Sequence, residues 1–187
     1  NYRKALNKEY KANRKDKEIP PLLDVLKGVV QTKGAWKNTY SSFVSYNVET
    51  DDTLVATYKK WRMKGYELIM CSSDKDLKTI PCVLYDYHYN KRELMTITEE
   101  EARYNFFTQM LVGDTADNVK GIYRVGKVGA SKMLKNCNSV FSYLKVIYAA
   151  YLKEYRRNAK VEFIKAYTML KLVDDKIYTP NLDEITF

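Results

Sequence analysis

Histidine is almost absent. His88 is the only one in 187 residues, and it lies in a tyrosine-rich run that reads as strand. A structural role suits it, and nucleophilic triads built on an imidazole base are excluded with it. Cysteine is scarce as well: Cys71, Cys82 and Cys137 are an odd set without metal-ligand spacing. Such thiols point to a reducing compartment, and a cytoplasmic protein is expected. No apolar run approaches the ~20 residues a membrane helix needs, so no membrane partner is expected. No signal-peptide pattern opens the chain, and no repeat or low-complexity tract interrupts it. With 45% apolar and 29% charged residues the sequence reads as soluble and globular, long enough to bury a real core.

What is present is charge, unevenly distributed. Lys and Arg total 32 against 23 Asp and Glu, a net charge of +9. Bases crowd residues 3 to 17 as Arg3, Lys4, Lys8, Lys11, Arg14, Lys15 and Lys17, with Tyr2 and Tyr10 among them. Acids gather in three knots instead: Glu49-Thr50-Asp51-Asp52, Asp74-Lys75-Asp76 and Asp114-Thr115-Ala116-Asp117. This pattern suits a polyanionic partner and a metal at the place of contact. Two carboxylates ~4 Å apart repel by roughly 4 kcal/mol at an effective dielectric of about 20. Divalent cations offset that repulsion and themselves attract phosphate. Charge alone therefore points to metal-dependent phosphodiester chemistry on nucleic acid.

Local patterns place these knots on elements. After Pro20-Pro21, Leu22, Val25, Leu26, Val29 and Val30 recur at helical spacing up to Gly34, followed by an irregular polar stretch. Asp51 to Lys64 reads as a helix with Leu54, Val55, Tyr58 and Trp61 on its apolar face and Gly65 to stop it. Tyr66 to Cys71 reads as a buried strand, and Asp74 comes just after it. Acids at a strand's carboxyl end are an α/β pattern. Cys82 to Tyr89 and Glu93 to Ile97 read as strands joined at Asn90-Lys91. Thr98 and Glu101 form a capping-box signature for a helix through Val112, closed by Gly113. Gly121, Gly126 and Gly129 mark a tight turn before a helix from Ala130 to Lys135. Ser139 to Val173 holds no Gly or Pro, and two helices breaking near Arg157-Asn158 are expected there.

Each acidic knot taken alone has an ordinary reading. Glu49 and Asp52 share a helix face and suit a helix start; Asp74 and Asp76 suit a turn; Asp114 and Asp117 suit a cap or an Asx turn. Three knots in this order are harder to assign to chance. Magnesium favours oxygen ligands, so a carboxylate cup without His or Cys fits it. Two ions can activate a water and stabilise a leaving oxygen. The turn Gly121-Ile122-Tyr123-Arg124-Val125-Gly126 resembles a helix-hairpin-helix, in which glycines let backbone amides approach a phosphate.

Tyr10-Lys11-Ala12-Asn13-Arg14, Glu49-Thr50-Asp51-Asp52, Ser73-Asp74-Lys75-Asp76-Leu77 and Gly113-Asp114-Thr115-Ala116-Asp117-Asn118-Val119-Lys120-Gly121-Ile122 together resemble the 5′ nuclease family in family order. That family comprises phage 5′-3′ exonucleases, flap endonucleases and the 5′ nuclease domain of bacterial DNA polymerase I. The resemblance runs from about Arg3 to Leu172. It implies an α/β fold: a mostly parallel central sheet flanked by helices, with a helical arch and a helix-hairpin-helix that grips duplex DNA. It divides the chain into residues 1–112, part of the nuclease core with the arch base, and 113–187, the hairpin and helical DNA-binding region. Glu49, Asp51, Asp52, Asp74, Asp76, Asp114 and Asp117 match the metal-cup carboxylates. Lys11 and Arg14 match the basic groups that approach the scissile phosphate, and Tyr10 a base-stacking ring. Arg3, Lys4, Lys120, Gly121, Gly126, Lys127, Gly129 and Lys132 fall where DNA contacts are expected. Two magnesium ions, replaceable by manganese, and a potassium ion at the hairpin are the implied cofactors. A flap, nicked or 5′-ended duplex DNA is the implied partner of a monomer.

Departures from the family pattern also have consequences. Two further aspartates that the family places upstream do not occur in this sequence, which opens on Asn1, and upstream residues with the first strand are expected. In the hairpin Tyr123 stands for the usual Pro and Arg124 for a Gly. The usual downstream Lys is Val128, with Lys127 one place earlier and Lys132 a substitute. The rival reading is a structure-specific DNA-binding protein without cleavage. A PIN-like ribonuclease shares the acidic α/β logic but leaves the hairpin unexplained.

Overall fold

A computed structural model describes residues 2–14, 20–31 and 48–172. Lys15, Lys17, Gly34, Val173 and the expected polar stretch that follows Gly34 lie outside them. Helix α1 (Tyr2–Leu6) leads into the segment that carries Tyr10 and Lys11, and α2 (Leu22–Gln31) follows. The spacing that predicts α2 is right, yet Leu22, Val25, Leu26 and Val29 are exposed. Helix α3 (Thr50–Met63) begins at Glu49 in an extended N-cap conformation and stops at Gly65, whose φ of +87° favours glycine.

The strand expected over 66–71 shrinks to β1 (Met70–Cys71), with Tyr66 and Ile69 exposed. β1 runs parallel to β2 (Cys82–Asp86), Met70 opposite Leu84, and nothing among the described residues pairs with its other edge. A strand extends only as far as its hydrogen-bonding partner does. β2 also ends early, because the Asp86 carboxylate accepts bonds from the His88 amide and the Lys91 ammonium and turns the chain. β3 (Glu93–Ile97) then returns antiparallel, from Asp86↔Glu93 to Cys82↔Ile97. The described sheet is thus small and mixed, with β2 central.

Thr98 and Glu101 close both halves of their capping box and start α4 (Glu99–Val112); Gly113, at φ +77°, ends it. The chain folds back as a ribbon of β4 (Gly113–Asp114) and β5 (Val119–Lys120). Three helices complete the described fold: α5 (Lys127–Leu134), α6 (Val140–Tyr155) and α7 (Ala159–Leu170). A 3-10 turn at Arg156–Asn158 makes the expected break between α6 and α7, with Arg156 at φ +50°.

Two buried clusters result. Val55, Tyr58, Met70, Leu77, Leu84, Ile97 and Ala102 form one between α3, the sheet and the start of α4. Phe106, Phe107, Met110, Leu111, Leu134, Ile147, Tyr151 and Phe163 form the other between α4 and α5 to α7. Helix α4 contributes to both.

Candidate metal centre and nucleic-acid interface

Three separate elements deliver acids to one cleft. Glu49 caps α3 and Asp51 lies in its first turn, where carboxylates offset the partial positive charge of a helix N-terminus. Just beyond β1, Asp74 accepts a bond from the Asp76 amide at 2.9 Å and so opens the 3-10 turn Lys75–Thr79. Asp76 is held in turn by the Gln109 amide of α4 at 2.6 Å. Asp117 comes from the β4–β5 loop. That loop is strapped to residues 9 to 14: the Lys11 amide donates to the Asp117 carbonyl, Asn13 to the Thr115 carbonyl and Asn118 to the Glu9 carbonyl. Glu49, Asp51, Asp74, Asp76 and Asp117 therefore line one small cleft of ≈ 50 Å³ together with Tyr10, Lys11 and Arg14.

Asp52 and Asp114 do not join them. Asp52 is 4% exposed and takes a two-pronged contact from the Arg3 guanidinium, at 2.6 and 2.8 Å. Arg3 also donates to Glu49 and to the carbonyls of Met169 and Lys171 at the end of α7. Five contacts match the five N–H groups of a guanidinium. Asp114 is likewise 4% exposed, paired with Lys75 at 2.6 Å and accepting from the Ala116 amide at 2.8 Å.

The cleft is electrostatically crowded. Lys11 Nζ lies 2.9 Å from Glu49 and 3.6 Å from Asp117, and Arg14 pairs with Asp117 from the other side. The buried Tyr10 hydroxyl lies 3.1 Å from Glu49 and 2.9 Å from Asp117. A hydroxyl carries one proton, so it can donate to only one of these carboxylates at a time. Burial, and then the charge of Asp74, raises the Asp51 carboxyl above its ordinary range. The same two causes push Asp76 up to about 6, although Lys75 and the Gln109 amide pull the other way.

Among the described residues no three of these carboxylates converge as they stand closely enough to hold an ion. Lys11 and the Tyr10 hydroxyl occupy the space between Glu49 and Asp117. The donor set is all oxygen and carries mutual repulsion that its own cations only partly offset, which fits a hard divalent ion.

Several expected DNA contacts are placed elsewhere. Arg3, expected at the DNA surface, is 1% exposed and fully engaged within the protein. Tyr10, expected to stack on a base, is 2% exposed, with its ring in the helical core. Gly126 has an ordinary φ of −93°, and a Cβ built there meets nothing, so neither positive φ nor close approach requires glycine. A Cβ on Gly129 makes only ordinary contact with Val125. Around the hairpin it is Gly113 and Gly121 that are structurally required: they pack back to back, each where the other's backbone would obstruct a Cβ. The left-handed position of the hairpin is taken by Arg124, at φ +58°. Lys4, Lys120, Lys127 and Lys132 are exposed.

Sequence reasoning missed Gln109, which fixes Asp76, and Lys75, which neutralises Asp114. Lys75 lies inside a motif and could have been asked for its partner; nothing in the sequence marks Gln109.

No protein-family model matches the chain. It is 26% identical over 161 residues to the 5′-3′ exonuclease of Buchnera aphidicola, covering 79% of this chain and 52% of that protein. Its fold is similar to that of T5 5′-exonuclease with zinc bound, at a TM-score of 0.67 and 16% identity over 91% of this chain and 70% of that one. The chain is thus similar in sequence to 5′-3′ exonucleases and in fold to T5 5′-exonuclease. A second 5′ nuclease structure is similar too: the bacteriophage T5 flap endonuclease in a pseudo-enzyme–product complex with DNA and metal ions. There the TM-score is 0.64 and the identity 18%, over 92% of this chain and 69% of that one. The chain spans about half the length of the exonuclease that it matches.

Proposed function

We propose that the chain is part of a divalent-metal-dependent 5′ nuclease that hydrolyses phosphodiesters of branched or 5′-ended DNA in replication or repair. The observation that carries this reading is the gathering of five carboxylates from three elements into one cleft beside Lys11 and Arg14. Glu49, Asp51, Asp74, Asp76 and Asp117 would hold magnesium, or manganese in its place, since both accept an all-oxygen set. When bound, such ions supply charge neutralisation and an activated water. The site is therefore narrower than the motifs suggest: Asp52 orients Glu49 through Arg3, and Asp114 sets the loop that presents Asp117.

Lys11 and Arg14 are partly exposed cations, at 21% and 47%, beside the carboxylates. With Glu49 and Asp117 holding an ion, Lys11 and Arg14 would be free to turn toward a phosphate. There they stabilise the charge that develops as the bond breaks. Lys4, Lys120, Lys127 and Lys132 are exposed cations suited to phosphate contacts of a duplex. A potassium ion on hairpin carbonyls belongs to the same reading. The neighbours solved with metal ions and with DNA support it by analogy of fold. Among the described residues no helix is long and apolar enough to cross a membrane. No observation favours the non-catalytic alternative.

The test is cleavage of flap, nicked and single-stranded DNA by wild type, Asp74→Asn and Asp76→Asn in magnesium, with binding measured beside it. Both variants should lose at least about a hundredfold in rate and keep their affinity for DNA. Near-normal turnover by both would remove the metal-cup assignment.

A further inference from the structure

We propose that Gln109 is a positioning residue for the cation cleft: its amide sets which oxygen of Asp76 faces an ion, and so how tightly magnesium binds. The proposal rests on the metal-cup reading above.

Helix α4 grips the Lys75–Thr79 turn at two points. Asn105 and Gln109 share one face of the helix at i,i+4 spacing. The Asn105 amide donates to the Lys78 carbonyl at 2.9 Å, and the Gln109 amide to Asp76 Oδ1 at 2.6 Å. The turn also braces itself. Asp74 Oδ1 accepts from the Asp76 amide at 2.9 Å, and the Thr79 hydroxyl donates to the Asp76 carbonyl at 2.7 Å. Three of these four bonds fix the backbone of the turn. The Gln109 bond alone among them fixes the Asp76 carboxylate, taking Oδ1 and leaving Oδ2 to the cleft that Asp76 lines.

A neutral amide orients a carboxylate without cancelling its charge. Lys75 supplies the contrast, because its ammonium lies 2.6 Å from Asp114 but 4.0 Å from Asp76. Asp76 is thus held in place and keeps the charge that attracts a divalent ion.

Gln109 adds little to the fold itself. Its Oε1 is buried and has no hydrogen-bond partner among the described residues. An unpaired buried acceptor costs stability. Turning the amide over would only set Oε1 against the Asp76 carboxylate, acceptor to acceptor. An apolar side chain of the same length would remove the cost altogether. The carboxylate that Gln109 orients accounts for the amide; the surrounding core does not.

The test is Gln109→Met, which keeps side-chain length and helix propensity and removes both the donor and the unpaired acceptor. Calorimetric titration of the metal-free chain with magnesium chloride, without DNA, should show about tenfold lower affinity than wild type. Its Tm without magnesium should be unchanged or higher. Asn105→Ala loses a backbone anchor and should do the opposite, lowering Tm and changing magnesium affinity less. The magnesium concentration for half-maximal cleavage of a flap substrate should rise about tenfold in Gln109→Met, more than the rate at saturating magnesium falls. Wild-type magnesium affinity in Gln109→Met, or a fall in Tm as large as that of Asn105→Ala, would make Gln109 a structural brace and overturn the proposal. So would equal loss of magnesium affinity in the two variants. Each of these outcomes leaves the metal cup standing, whereas a wild-type chain that binds no magnesium would remove the cup and the proposal together.

Discussion

Asp51 and Asp52 are neighbours in sequence, in the same helical turn, and they inhabit opposite environments. Asp51 faces a cleft in which Asp74 and burial oppose its ionisation. Asp52 faces a buried guanidinium whose N–H groups are matched by acceptors on α3 and α7. In the acidic cleft negative charge exceeds what the local cations satisfy; around Arg3 donors and acceptors balance. The difference teaches that the two regions do different work: one is poised to accept cations, the other ties the N-terminal segment to the end of α7. A helix turn separates the two because successive residues point about 100° apart.

The largest effect should come from the balanced region. Asp52→Ala leaves Arg3 buried without its main partner, and removing one member of a buried pair costs about 3–5 kcal/mol. Urea denaturation should show that loss, whereas Asp51→Ala should be neutral or stabilising in the metal-free chain. Equal destabilisation by both would erase the distinction drawn between them.

Lys11→Ala comes next and probes the crowded region. Loss of a group that stabilises transition-state charge typically costs about 2.7–4 kcal/mol of activation free energy. Single-turnover rates should fall accordingly, while DNA affinity changes little because one phosphate contact among several is removed. Unchanged single-turnover rates would reduce Lys11 to a structural partner of Glu49.

Acid titration offers a smaller test of the same crowding. Asp76 has a folded pKa of about 6 against an ordinary 3.8, so between those values the folded state binds more protons than the unfolded one. Metal-free stability should thus rise as pH falls from about 7 toward 4, by roughly 1–3 kcal/mol from this group. Asp76→Asn should flatten that slope, and saturating magnesium should do the same from the opposite direction. A slope equally steep in the variant would assign the effect to another group.

The smallest effect lies outside both regions. Arg124 sits at φ +58° in the hairpin, a conformation that costs a residue other than glycine about 1–2 kcal/mol. Arg124→Gly should recover up to about 1 kcal/mol, less the extra chain entropy of glycine, readable as a rise in Tm.

Much of this was legible in the residues themselves. The Thr98–Glu101 capping box, the stop at Gly65, the break at Arg156–Asn158 and the α/β class follow from local hydrogen-bonding chemistry and side-chain period. Both act over a few residues. The acidic knots raise the expectation of a cation site for the same reason: charge is counted, and repulsion among neighbours needs no fold to be recognised.

Which acids face the cleft was not legible. Asp52 and Asp114 match the motif as well as Asp51 and Asp117 do, and only the approach of Arg3, forty-nine residues away from Asp52 in sequence, and of Lys75 separates them. Tyr10 shows the same limit. Its place beside a basic run suggests a surface ring, yet it is buried in the helical core. The elements, their caps and the supply of charge are written along the chain, because these depend on spacing between nearby residues. Pairing, burial and the choice between ligand and salt bridge belong to the tertiary structure, because a carboxylate's role depends on which cation reaches it first through space.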